Sequence, residues 1–220
     1  MRDRSRAIVF DLDGTLVDMR ALYLRANQLA TKDVLGIELS EDEVHELMAT
    51  GLPLRAAMRS LDENSADRLV DVFVRHYRRE RASLLRIFPG MTELLTKLRS
   101  QGHSIAVVTS KLRDEARADL QATAMDGLVE LLVALEDSTE HKPHPGPIIQ
   151  ALDSLRATRG VGIGDLPTDI TAARAAGLSA IGVTWGYGST EALRDAGADC
   201  VCDSAHELEL ALDRLVSAER

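Results

Sequence analysis

Lysine is scarce in this chain: Lys32, Lys97, Lys111 and Lys142 are four of its 26 basic residues. Positive charge is in deficit overall, with a formal net charge of -9 at pH 7 and a sequence pI near 5.2. An acidic chain repels a phosphate backbone, and no local basic patch offsets that, so no nucleic-acid partner is expected. The basic run Arg75-His-Tyr-Arg-Arg-Glu-Arg81 reads as one solvated helix face. Cysteine is also rare. Cys200 and Cys202 stand at alternate positions of an apparent strand, Ala198–Asp203, so their side chains share a face. A bond between residues so close would be strained, and no other Cys or ligand cluster accompanies them. They read as two small buried residues and exclude a disulfide framework. No apolar run is long enough to span a bilayer, and Met1-Arg-Asp-Arg-Ser-Arg6 runs straight into Ala7-Ile-Val-Phe10 with no room for a signal-peptide core. The expectation is a cytoplasmic protein with no membrane partner. Internal repeats and low-complexity tracts are missing as well.

What is present is a chain of 220 residues, 45% of them hydrophobic, enough for a large domain carrying a smaller insertion. Apolar runs rich in β-branched residues recur at Ala7–Phe10, Ile105–Val108, Val129–Ala134, Val161–Ile163, Ala180–Val183 and Cys200–Val201. Helical patterns separate most of them, which predicts an α/β fold with a parallel sheet flanked by helices. After Phe88-Pro-Gly90, residues Met91, Leu94, Leu95 and Leu98 fall on one helix face, and Gly102 follows as a stop. Ser204-Ala-His-Glu207 has the pattern of a capping box ahead of a closing helix through Leu208, Leu212 and Leu215.

Roughly 70 to 90 residues lie between the first two strands, far more than the 10 to 12 or so an ordinary crossover needs. Within them Leu22–Leu35, Glu41–Ala49 and Ala66–Leu85 have helical spacing and no strand-like alternation. The spacing predicts a discontinuous core, residues 1–16 with 88–220, and an inserted all-helical cap over 17–87.

The chemistry-bearing residues follow the strands. Asp11-Leu-Asp-Gly-Thr15 comes directly after the first, where ligands of open α/β sheets bind. Val107-Val-Thr-Ser110, Lys142-Pro-His-Pro145 and Gly164-Asp-Leu-Pro-Thr-Asp169 follow in order, each after a strand or before a helix. A phosphate monoester repels an approaching carboxylate, so a carboxylate nucleophile needs a cation and oriented donors around the phosphoryl oxygens. Lys142 and a magnesium ion on Asp11 and Asp165 suit that need, since Mg²⁺ commonly takes one or two carboxylates plus substrate phosphate and water.

Together the four segments resemble the motifs of the haloacid dehalogenase (HAD) superfamily, and most nearly its phosphoglycolate phosphatase-like and pyrophosphatase-like branch with a helical cap. The resemblance extends over nearly the whole chain, including Gly197-Ala-Asp199 and Glu207-Leu208. It implies a Rossmann-like HAD core and a Mg²⁺-dependent phosphatase of small phosphorylated metabolites. Asp11 is then the nucleophile that forms an aspartyl phosphate, and Asp13 the group that protonates the leaving alcohol and later deprotonates water. The dehalogenase members lack an aspartate at the position of Asp13. The resemblance further implies that Thr109, with the amides of Leu12 and Ser110, binds the phosphoryl group. The metal would be held by Asp11, the carbonyl of Asp13, and Asp165, with Asp169 in an outer position or serving as a helix N-terminal charge. Ser110, Lys111 and Arg55 are candidate substrate contacts. Arg55 ends the segment Ala49–Arg55, a loop expected to interrupt two cap helices, and Arg20 and Arg113 are similar candidates. His141 and His144 flank Lys142, and Trp185-Gly-Tyr-Gly188 is expected at the rim of the site.

Two features depart from the family pattern: Leu166 stands where a small hydroxyl residue is common, and Gly160, Gly162 and Gly164 crowd one strand. The alternatives are a phosphomutase using the same two aspartates, an inorganic pyrophosphatase, and a non-catalytic phosphate-binding protein. A monomer or homodimer is expected, with a small phosphate ester as the partner molecule.

Overall fold

The computed structural model describes residues 6–218. Its main sheet has strands β1 (Arg6–Phe10), β4 (Ser104–Val108), β5 (Leu131–Val133), β6 (Arg159–Gly164), β7 (Ser179–Val183) and β8 (Cys200–Cys202). A second, two-stranded sheet pairs β2 (Val17–Asp18) with β3 (Arg86–Ile87). The order in the main sheet is β5-β4-β1-β6-β7-β8, and every pairing is parallel. This is a Rossmann-type α/β sheet. All residues of β1 and β4 are buried, as a parallel sheet covered on both faces requires. The edge strands β5 and β8 are only partly buried.

Ten α-helices are described: α1 (Arg20–Leu35), α2 (Glu41–Ala49), α3 (Leu54–Leu61), α4 (Ala66–Leu84), α5 (Met91–Ser100), α6 (Arg113–Ala122), α7 (Gly146–Leu155), α8 (Pro167–Ala175), α9 (Thr190–Asp195) and α10 (Ala205–Ala218). α7, α8 and α9 supply Ile148, Ala151, Ile170, Ala173 and Leu193 to a core over the sheet face that carries Ala7, Val9, Ala106 and Val108. α5 buries Met91, Leu94, Leu95 and Leu98, the residues its spacing selects. It ends as expected: Gly102 takes φ 90°, and the next amide, of His103, bonds the carbonyl of Leu98 at 3.1 Å. At α10 the Ser204 hydroxyl accepts the Glu207 N–H, but the Glu207 carboxylate accepts from Asp203 N, one residue before the cap. Both cysteines are free, Cys202 buried and Cys200 half-buried.

The glycines of β6 have a packing reason. A Cβ on Gly162 would lie 2.4 Å from the Cβ of Ala173, and one on Gly164 would lie 2.2 Å from the Cβ of Asp169. Bare backbone on β6 lets α8 approach closely, which brings Asp169 to the strand end.

The chain forms two compact units, one ending at Val17 and resuming at Ile87, the other running from Asp18 to Arg86. Between its terminal strand residues Asp18 and Arg86 the second unit is built of helices. Tyr23 of α1 meets Phe73 and Tyr77 of α4 edge-on, with ring centroids 5.0 and 5.6 Å apart, and His76 contacts Asp33 at 3.1 Å. It contains four helices where three were expected. α3 begins at Leu54, so Arg55 lies in its first turn instead of in a loop. Pro53 and Gly51 made that stretch read as a break, yet Pro53 stands at the helix N-cap, where proline is tolerated, and α3 buries Ala57 and Met58.

Candidate active site

β4, β1 and β6 are neighbours, so the residues just beyond their carboxyl ends form one row. Asp11 continues the ladder, its N–H donating to the carbonyl of Ile163 at 2.8 Å, while Thr109 N donates to Val133 O at 3.0 Å. Asp165 follows β6 and is fully buried. Carboxylate oxygens of Asp11, Asp165 and Asp169 lie within 4.8 Å of one another.

Lys142 answers part of this charge. Its Nζ donates to Asp11 Oδ1 at 2.5 Å, to Asp169 Oδ1 at 2.6 Å and to the carbonyl of Val108 at 3.1 Å. Burial opposes the charge on Lys142, but Asp11 and Asp169 outweigh it and hold the ammonium well above the usual lysine range. Burial pushes the Asp11 carboxyl up to about 7 even so, with Asp169 and Asp13 adding repulsion against the pull of Lys142. Asp165 is raised well above the ordinary carboxylate range by burial and by the charges of Asp169 and Asp11.

Asp165 is held by donors on several sides. Thr15 Oγ1 donates to Oδ1 at 3.1 Å, and the Tyr187 N–H donates to Oδ2 at 2.9 Å. Glycines close around the same carboxylate. A Cβ on Gly14, whose φ is +84°, would sit 2.3 Å from Asp165 Oδ2, and one on Gly186 would sit 2.2 Å from it. The segment Trp185–Gly188 therefore cradles a site carboxylate, a closer role than a rim. Asp169 stands as the helix N-terminal charge, its Oδ2 accepting the Leu166 N–H at 3.0 Å at the start of α8, while its Oδ1 meets Lys142.

Three carboxylates meet here, the one ammonium bonds two of them, and Asp11 and Asp165 are raised by burial and mutual repulsion. That excess of buried negative charge on hard oxygen donors fits a small divalent cation such as Mg²⁺.

A second charged group stands beside the first. Lys111 Nζ donates to Asp13 Oδ1 at 2.6 Å and to Asp119 Oδ2 at 2.5 Å, and Lys111 N donates to Thr109 Oγ1 at 3.2 Å. Burial raises the carboxyl of Asp13, against the pull of Lys111. Lys111, expected at the substrate, is thus engaged by two aspartates. Asp119, an acid in the last turn of α6 with no motif around it, was not among the expected residues; the one available signal was an acidic residue on the buried face of the helix. Arg55 pairs with Asp67 at 2.7 Å inside the helical unit, both side chains well exposed, and Arg20 pairs with Asp18 at 2.7 Å. His144 contacts Glu140 at 2.8 Å. Arg113 pairs with Asp137.

The family model described as haloacid dehalogenase-like hydrolase matches residues 8–183. Phosphoglycolate phosphatase of Colwellia psychrerythraea is 30% identical over 218 residues, 94% of this chain and 96% of the relative. Pyrophosphatase PpaX of Oceanobacillus iheyensis is 28% identical over 92% of this chain and 94% of its own. The crystal structure of a predicted phosphoglycolate phosphatase from Haemophilus somnus superposes with a TM-score of 0.82 at 26% identity, covering 96% of this chain and 100% of that one. With a match over most of its length and a site built on the expected strand ends, this chain belongs to the haloacid dehalogenase-like hydrolases. Among the described residues no helix is long and apolar enough to cross a membrane.

Proposed function

We propose that the protein is a Mg²⁺-dependent phosphatase of a small phosphorylated metabolite, of the phosphoglycolate type, acting through an aspartyl phosphate on Asp11. The observation that carries this reading is the meeting of Asp11, Asp165 and Asp169 with Lys142 at the ends of adjacent strands. The substrate relation is supported by the phosphoglycolate phosphatases among the relatives.

Asp11 attacks phosphorus in line with the leaving oxygen, splitting one displacement into two easier ones. Lys142 neutralises charge on the phosphoryl oxygens and orients the Asp11 carboxylate. Thr109 and the amides of Leu12 and Ser110 bind the same group. Asp13 gives its proton to the departing alcohol and then takes one from the water that opens the acyl phosphate, a role suited to a carboxyl raised by burial. Asp11, Asp165, Asp169 and the carbonyl of Asp13 are the residues that would hold Mg²⁺, which when bound offsets phosphoryl charge. Substrate selection is assigned to the helical insert, with Arg55 as the residue to test.

Pyrophosphate is the second substrate reading, favoured by the relative named pyrophosphatase PpaX. The test is phosphate release from p-nitrophenyl phosphate, phosphoglycolate, pyrophosphate and β-glucose 1-phosphate, with Mg²⁺ and with chelator, for wild type and Asp11→Asn. Metal-dependent release lost in Asp11→Asn is the expected result, with phosphoglycolate preferred. Isomerised sugar phosphate without release would replace the reading with a mutase, and no turnover on any ester would remove it.

A further inference from the structure

The pair Lys111 and Asp119 is costly to build. Lys111 retains only 7% of its side-chain exposure and Asp119 none, so both charges have left water. Replacing such a buried pair by apolar residues of similar size is often neutral or stabilising, so fold stability alone is a weak reason for it. Asp119 also lies in the last turn of α6, where the helix macrodipole disfavours negative charge. Both penalties are accepted at one point, and the ammonium held there reaches Asp13 Oδ1 at 2.6 Å.

The surroundings leave Lys111 little freedom. Its N–H bonds the Thr109 hydroxyl, and its carbonyl accepts from Leu135 N at 3.0 Å. The start of α6 is anchored in turn, since the Glu136 carboxylate accepts the Arg113 N–H at 2.9 Å. The helix therefore presents Asp119 to Lys111 from a fixed position, and Lys111 passes that constraint to the carboxylate of Asp13.

We infer that Asp119 is a positioning residue: acting through Lys111, it fixes the Asp13 carboxylate in the orientation from which Asp13 exchanges a proton with the substrate. The inference rests on the phosphatase reading. Lys111 is then an orienting group instead of a substrate contact, and Oδ1 of Asp13 is committed to it. A proton-transfer group misplaced by about 1 Å costs on the order of 100-fold in rate, so loosening this chain should act on turnover and leave binding alone.

The experiment is steady-state hydrolysis of p-nitrophenyl phosphate with Mg²⁺ by wild type, Asp11→Asn, Asp119→Asn, Lys111→Met and Lys111→Met/Asp119→Leu, with the thermal midpoint of each read in parallel. Asp119→Asn is expected to lower kcat about 10- to 100-fold with KM changed less than about twofold. Lys111→Met should lower kcat by a similar factor and lose stability, because it leaves Asp119 buried without its ammonium. The double variant should regain the wild-type midpoint and yet turn over no faster than Lys111→Met. Wild-type kcat in Asp119→Asn, a rise in KM at unchanged kcat, or a double variant that regains turnover together with stability would each overturn the positioning role. The two readings fail differently. Turnover that depends on Asp11 but ignores Asp119 sinks the positioning role alone, whereas a wild type without turnover sinks the phosphatase reading and this one with it.

Discussion

Around Asp165 the limiting property is space. Gly14 and Gly186 each face its carboxylate where a methyl group would lie 2.3 or 2.2 Å from Oδ2, and Asp165 is fully buried with that oxygen bonded to the Tyr187 amide. Gly14→Ala and Gly186→Ala should therefore raise the Mg²⁺ concentration for half-maximal turnover about 10-fold or more, as disturbed outer-shell support does at metal sites. A metal titration of phosphate release checks this, and unchanged half-saturation would show that the carboxylate is not a ligand. Legibility at this scale followed local context. Asp11, Lys142, Asp165 and Asp169 stand in short loop motifs after strands, where sequence spacing carries information. Asp119 stands in the last turn of a helix, and its partner Lys111 is eight residues away and before the helix begins, so nothing local announces it.

At the scale of elements, β6 and α8 are the pair most sensitive to volume. Gly162→Val would drive a side chain into Ala173 and should destabilise the fold by about 1 to 3 kcal/mol, as overpacking does, read as a lower denaturation midpoint in urea. Arg55→Ala, by contrast, breaks only an exposed ion pair with Asp67 and should change stability by less than about 1 kcal/mol. Any effect it has on KM for phosphoglycolate then reports substrate contact and not unfolding. All six strands of the main sheet were legible, because buried parallel strands are written as short β-branched runs. The first residues of four were not: Arg6, Ser104, Arg159 and Ser179 are recruited by backbone pairing that no side-chain pattern reveals. α3 was missed for a related reason. Eight residues behind a proline offer too little periodicity to outweigh the break that Gly51 and Pro53 suggest.

For the molecule as a whole, the buried carboxylates tie stability to pH. The Asp11 carboxyl has an ordinary value of 3.8 and is pushed up to about 7 by burial, so the metal-free fold retains a proton that the unfolded chain has already released. The associated stability is full below the ordinary value and is lost as pH rises towards about 7, and Asp165 acts in the same direction. Mg²⁺ bound as proposed would compete with those protons, so the rise in thermal midpoint that it produces should grow between about pH 5 and pH 8. Melting curves with Mg²⁺ and with chelator across that range test this, and an increment that ignored pH would contradict it. One further consequence lies where the helical unit joins the core. Phe88 N donates to Leu16 O at 3.2 Å, and β2 pairs with β3, so the chain departs and comes back through neighbouring backbone positions. The two ends of the insert are thus neighbours in the backbone, and whole inserts from relatives should be exchangeable by recombination at two codons that lie side by side in space.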